Sequence, residues 1–315
     1  MEVRMFDFAV LLRSVVLFVA LAVPGFVLGK LKRLDTDARS AIGGILSDVA
    51  MPALVLARML EADIHSLRPG CIIWALLLPF GLIAILWALS SLVFPGRHGK
   101  ISGAAQFCAV FANCGFLGIP LAEAMFPDQP EVVVYISLFN VTNTLCLLTV
   151  GIYMLSGDSK QVKFKSLLAK PIIWVVVIGA VLSITELNHR VPWLTDYANY
   201  PAQLTTPLSM IVLGCTLSEL NWRSIFDCAD VYKTSMIKLI AAPVITMLIL
   251  RLTGAPADLA AALFIATGVS TAASAPAMAG KYGNDPKYTA SLTLGTTLLC
   301  IVTLPVLSLL FELFF

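Results

Sequence analysis

The chain has 315 residues, of which 59% are apolar and only 13% are Asp, Glu, Lys or Arg, and its mean hydropathy is +0.90. So little charge could not cover the core of a water-soluble fold of this length, which excludes an ordinary soluble enzyme and also a disordered or fibrous chain. A formal net charge of +2 excludes a nucleic-acid binder built on a basic face, and an all-α polytopic membrane protein remains.

A helix needs about 20 mostly apolar residues to cross the hydrocarbon. In chain order such runs lie near residues 7–29, 38–60, 71–94, 101–126, 132–155, 171–187, 199–218, 234–252, 257–281 and 288–313, so ten spans are expected. The first is read as a retained span, because it extends through Leu28 with no small-residue cleavage site after it. The period is wrong for an outer-membrane barrel, whose strands alternate over about ten residues. Fourteen Lys and Arg fall on one side of these spans, Lys30, Arg97, Lys163, Lys165 and Arg223 among them, against five on the other, Arg4, Arg58, Arg68, Arg190 and Arg251. The excess predicts a cell membrane protein with both termini on the non-cytoplasmic side.

Sliding the chain against itself by 156 residues sets Pro120 on Pro276, Pro130 on Pro286, Ser137 on Thr293 and Asn140 on Thr296; a shift of 155 sets Pro52 on Pro207. The near-constant offset divides the chain into repeats of five spans, 1–155 and 156–315. Five is odd, so the halves face opposite ways, the inverted repeat of many secondary transporters. The fourth and ninth spans carry matching runs that end in proline: Asn113, Cys114, Gly115, Gly118 and Pro120 in one, Gly268, Ser270, Thr271, Ser274 and Pro276 in the other. Proline and glycine disfavour helix there. Two discontinuous helices crossing in mid-membrane would turn free N–H groups toward a carboxylate. A proline kink in each span, with glycines for close packing, is the alternative.

The stretch Ala112-Asn-Cys-Gly-Phe-Leu-Gly-Ile-Pro120 resembles the fourth-span crossover of the auxin efflux carrier family, whose plant PIN members have an Asn followed by Gly-Ile-Pro at this spacing. Leu34-Asp-Thr-Asp37, Asp48-Val-Ala-Met-Pro52 and Pro276-Ala-Met-Ala-Gly-Lys-Tyr-Gly283 extend the resemblance over essentially the whole chain, without the long cytoplasmic loop of the plant carriers. It implies the fold of the bile-acid symporters in a compact prokaryotic-type member. A scaffold of residues 7–60 and 171–218 would form a homodimer, and a transport domain of 71–155 and 234–313 would shift like an elevator. The cargo it implies is a small organic anion, either an auxin-like monocarboxylate or a dicarboxylate such as malate or malonate.

Asn113 is the first candidate for substrate contact, since its amide can donate to a carboxylate; it could instead cap the broken helix. Cys114, Gly115, Pro120 and Pro276 frame the crossover. Ser270, Thr271 and Ser274 offer hydroxyls to the anion or back-bond to their own helix. Ser137, Asn140 and Asn143 on the fifth span and Thr296 on the tenth line the cavity, coordinate a coupling cation, or join helices. Asp48 could carry a proton or pair with Arg13. Glu123 is placed near the polar interface, and Lys238 is long enough to snorkel. The third span, Cys71 to Phe94, has no charged residue, unlike the acid–base pair of the plant carriers, and the ninth has no Glu or Gln to hold sodium, so proton-coupled or uncoupled efflux is at least as well supported.

No P-loop, Gly-x-Ser-x-Gly elbow or dinucleotide loop occurs, and His65, His98 and His189 all lie in loops, so neither a cofactor nor a metal is expected. Seven cysteines, including Cys108, Cys114, Cys146, Cys215 and Cys300 inside apolar runs, read as small buried hydrophobes. The competing function is a membrane sensor or binding subunit with the carrier fold and no flux.

Overall fold

The computed structural model describes residues 8–62, 67–95, 100–162, 170–185, 191–218, 225 and 227–315. Arg4, Arg97, Lys163, Lys165, Arg190 and Arg223, and the histidines His65, His98 and His189, lie outside the described residues. Among the described residues six helices are long and apolar enough to cross a membrane, and several shorter apolar helices lie among them.

Helix α1 is Phe8–Lys30, and α2 runs over residues 36–61 through a π-helical turn at Leu46–Ala50. Asp35 caps α2 by accepting from the Ala38 N–H at 2.8 Å. Helix α3 is Pro69–Val93. The fourth apolar run is two pieces, α4 (Lys100–Val110) and α5 (Cys114–Met125), followed by α6 (Pro130–Ser156). Helix α7 is Pro171–Ile184. The seventh run begins earlier than its hydropathy suggests and is also two pieces, α8 (Pro192–Ala202) and α9 (Thr205–Ser218). Helix α10 is Ala229–Leu252, with a π turn at Met236–Ala241. The ninth run is again split, into α11 (Ala257–Gly268) and α12 (Ala275–Lys281), and α13 is Pro286–Phe314.

Proline begins five of these helices: Pro69, Pro130, Pro171, Pro192 and Pro286 all stand in a first turn, where the missing N–H would have had no partner. Pro276 follows the same rule, while Pro120 stands inside α5, just after the π turn at Cys114–Gly118. The breaks lie before both prolines, at 111–113 and 269–274.

The most enclosed elements are α6 and α11. Every residue of α11 from Leu259 to Gly268 is buried, and α6 is buried almost continuously from Val132 to Asn143. These two pack on each other, with α3 against α6 and α10 against α11. Helix α1 lies along α9, while α2 packs on α7 and α8. By contrast Val16, Leu17 and Val23 of α1, Ile73, Leu77 and Phe80 of α3, and Val302 and Val306 of α13 face outward, as a lipid solvent allows.

Between membrane helices, association rests on close van der Waals contact rather than on escape from water, so small residues set the approach. A Cβ on Gly25 would collide with the main chain at Ile211, and one on Gly214 with the main chain at Ala22. Backbone touches backbone along the α1–α9 crossing. Gly214→Leu is therefore expected to lower stability by about 3 kcal/mol or to prevent folding. Gly81→Leu on α3, where a side chain would meet nothing within 4 Å, should leave the midpoint of thermal unfolding in detergent almost unchanged.

Candidate functional site

Ending a helix at Val110 and another at Gly268 leaves carbonyls without donors, and restarting at Cys114 and Ala275 leaves N–H groups without acceptors. In hydrocarbon each unsatisfied group costs several kcal/mol. The two interruptions meet, and each supplies what the other lacks. The Asn113 N–H donates to Ser270 O at 2.8 Å, and the Ala272 N–H donates to Phe111 O at 3.0 Å. Together they form an antiparallel bridge between Ala112 and Thr271, the only bridge recorded among the described residues.

Side chains close four further carbonyls at the ends of the first halves. The Thr271 hydroxyl donates to Cys108 O at 2.6 Å, and the Asn143 amide donates to Ala112 O at 3.3 Å. The Lys238 ammonium donates to Thr267 O at 2.7 Å, and the Cys300 thiol donates to Gly268 O at 3.6 Å. Thr296 Oγ1 accepts from the Thr271 N–H at 3.3 Å while donating to Thr293 O at 2.8 Å. Thr271, Asn143 and Thr296, candidates for binding or coupling, are thus engaged in holding the crossing.

The second halves are arranged differently. Cys114, Gly115 and Phe116 open α5, and their N–H groups have no intrahelical acceptor by position. The Asn113 carbonyl accepts from Leu117 and Gly118 at 3.1 and 3.2 Å, and its side chain makes no capping bond. Asn113 is buried and, with the half-buried Phe116 and Pro276, lines a cavity of about 30 Å³ that Ser209 and Thr216 of α9 also line. That is room for about one water. Through Leu213 and Thr297 it adjoins a larger cavity of about 250 Å³ between α1, α5, α9 and α13, lined by apolar side chains such as Phe18, Phe26 and Met210.

The other candidates separate. Asn140 is buried opposite Gly115, where a Cβ would stand 3.6 Å from its amide nitrogen. Ser137 bonds back to Val133 O at 2.6 Å, and Cys114 donates to Ile136 O at 3.7 Å. The Ser270 hydroxyl is fully enclosed with no partner, whereas Ser274 is exposed at the break. Asp48 is exposed and accepts from Ser47 Oγ at 2.9 Å; Arg13 is exposed elsewhere and the two form no ion pair, because the π turn at Leu46–Ala50 aims Asp48 away from the bundle. Glu123 pairs with Arg58 at 2.9 Å, and Arg58 also pairs with Glu61.

Lys238 does not snorkel. It is 1% exposed, turned inward on the π segment of α10, because the α11 carbonyl end offers its ammonium an acceptor that no interface position would match. The sequence also gave no prominence to Ser209 and Thr216. Their spacing of seven puts them on one helical face, a signal that was available.

Thr271→Val keeps the shape and strands the Cys108 carbonyl, so it should cost about 1–3 kcal/mol. Ser274→Ala should cost nothing measurable, and thermal unfolding of the purified variants distinguishes the two.

A family model described as membrane transport protein matches residues 10–308. Over 240 residues the chain is 25% identical to a protein described as an uncharacterized transporter of Methanothermobacter thermautotrophicus, covering 73% of this chain and 75% of that one. Another uncharacterized transporter, from Methanocaldococcus jannaschii, is 26% identical over 194 residues, covering 59% of this chain and 62% of its own. Among the described residues no group of three His, Cys, Asp or Glu is placed to hold a metal ion.

Proposed function

The chain belongs to the membrane transport protein family, a family of transporters and not of enzymes, and from that premise we propose that it is a secondary carrier, in the efflux direction, for a small organic anion. The observation that carries the reading is the crossing of two interrupted segments beside a buried amide. The carbonyl ends there are closed by protein donors, while the N–H groups opening α5 have no intrahelical acceptor. A site with that polarity suits a carboxylate.

On this reading the chain crosses the membrane ten times as two inverted sets of five, with both termini outside the cytoplasm. Helices α1, α2 and α7–α9 act as a scaffold that dimerises. Helices α3–α6 and α10–α13 move as a unit and carry the anion from one face to the other. The packing of α1 on α9 and of α2 on α7 and α8 supports the first group, and the α3–α6–α11–α10 contacts support the second. The cavities lie along the seam between the groups, and a volume of about 30 Å³ beside Asn113 fits a conformation that must open to load.

The walls favour one class of anion. Neither cavity is lined by a charged side chain, so a dicarboxylate would find no second cationic partner, whereas the adjoining 250 Å³ apolar space suits the body of an aromatic or aliphatic monocarboxylate. Purified protein in liposomes should show saturable flux of labelled indole-3-acetate in preference to malonate. Asn113→Ala should reduce that flux at least about tenfold. Binding without flux would assign a sensor, and wild-type flux in the Asn113→Ala variant would remove the crossing site.

The Arg58–Glu123 ion pair joins the proposed scaffold to the proposed moving unit. A cysteine pair at these two positions, once oxidised, should abolish flux, and reductant should restore it. Undiminished flux in the cross-linked protein would rule out relative motion of the two groups.

A further inference from the structure

The carrier reading uses Lys238 only as a donor that closes the Thr267 carbonyl and leaves its charge without a role. A lysine 1% exposed in the interior of a membrane bundle needs a partner, and among the described residues no Asp or Glu pairs with it. The groups that face it come from three elements. They are the Thr267 carbonyl of α11 at 2.7 Å, the Cys114 thiol of α5 and the Cys300 thiol of α13. None of them is an anion by necessity. An uncompensated ammonium in such a place is expensive and persists where it has a task.

Its location suggests the task. Thr267 and Gly268 form the last turn of α11, whose final carbonyls carry the negative end of the helix dipole. Unpaired carbonyls at a broken helix inside a membrane offer hard oxygen ligands to a monovalent cation. Here the Thr267 oxygen is already taken by an ammonium, and the Gly268 oxygen by the Cys300 thiol. The charge is also close to the crossing. Thr267 is three residues before Ser270, whose carbonyl accepts the Asn113 N–H, and Cys114, the residue after Asn113, is an electrostatic neighbour of Lys238. The π turn at Met236–Ala241 directs the side chain inward.

We infer that Lys238 is the carrier's resident cation: its ammonium occupies the carbonyl end of α11 where a co-transported alkali ion would otherwise bind, and it supplies the fixed positive charge that the carboxylate meets. The inference rests on the carrier reading and adds to it that transport needs no sodium. Lys238 is thereby a positioning residue, because it acts on the anion through the field at the crossing rather than by lining the cavity beside Asn113.

The test uses the full-length protein in liposomes with labelled indole-3-acetate as the probe, measured in sodium, potassium and choline buffers. Wild-type flux should be equal in all three, and Lys238→Arg should retain that independence. Lys238→Ala should lose at least about tenfold in choline and recover part of the loss with sodium, potassium or added methylammonium, which can enter the vacated place. A merely structural lysine would give no such rescue. Sodium-dependent wild-type flux, full activity of Lys238→Ala in choline, or a loss that no cation restores would each overturn the inference. The wild-type series can overturn the inference even where the alanine variant fails to fold, and Lys238→Arg then tests the need for a cation at this place. Absence of saturable flux for any carboxylate would sink the carrier reading instead.

Discussion

Two hydrogen bonds between two broken backbones, Asn113 N–H to Ser270 O and Ala272 N–H to Phe111 O, are the constraint around which the bundle is organised. Neither interruption is tolerable alone. A single break in hydrocarbon would expose main-chain groups with no water to meet them. Because the strands are antiparallel, each break presents a donor where the other presents an acceptor, and the cost is removed for both together. The enclosure of α6 and α11 follows. They form the walls that keep this irregular backbone inside protein, and Asn143 of α6 reaches across to bond Ala112 O.

The polarity of the crossing comes from an asymmetry in how its loose ends are treated. The carbonyls that end α4 and α11 receive Thr271, Asn143, Lys238 and Cys300, four donors from four different elements. The opening of α5 receives no comparable set of acceptors. Asn113, the natural capping residue at that position, does not use its side chain as a cap. Both the helix dipole and the Asn113 amide then favour negative charge at the same spot, and the buried ammonium of Lys238 has the same sign preference.

The membrane class and the positions of the interruptions were legible because they depend on composition and on local backbone chemistry. Runs of apolar residues needed only counting, and runs of small and polar residues ending in prolines at a shift of 156 marked both broken spans. What local chemistry could not decide was which polar side chain faces which neighbour. Thr271, Ser270 and Ser274 lie within five residues, yet one bonds across to Cys108, one is enclosed without a partner and one is exposed. The turn geometry of residues 269–274 separates them, and that geometry is set by α4 and α5, far away in sequence. The expected Asp48–Arg13 pair and the snorkelling of Lys238 fail for a related reason. Each residue stands on a π turn, where one extra residue rotates the helix face. The prolines misled by a few residues only: Pro276 stands in the first turn of α12 and Pro120 follows the π turn that opens α5, so both breaks lie before them.

A carrier must release what it binds, and the few donors around Asn113 bear on that requirement. Thr293 and Thr297 border the cavity, but their hydroxyl protons are already given to Thr289 O and Thr293 O at 2.9 and 2.8 Å. They turn lone pairs rather than donors toward an incoming carboxylate. The anion is therefore left with main-chain N–H groups, one amide and the field of a charge set back behind α11. A direct guanidinium clamp would bind more tightly and bidentately, but it would also hold the cargo through each cycle. Recognition by dipoles and a remote charge gives modest affinity with a definite sign, while the adjoining apolar cavity discriminates among anions by the shape of their uncharged part.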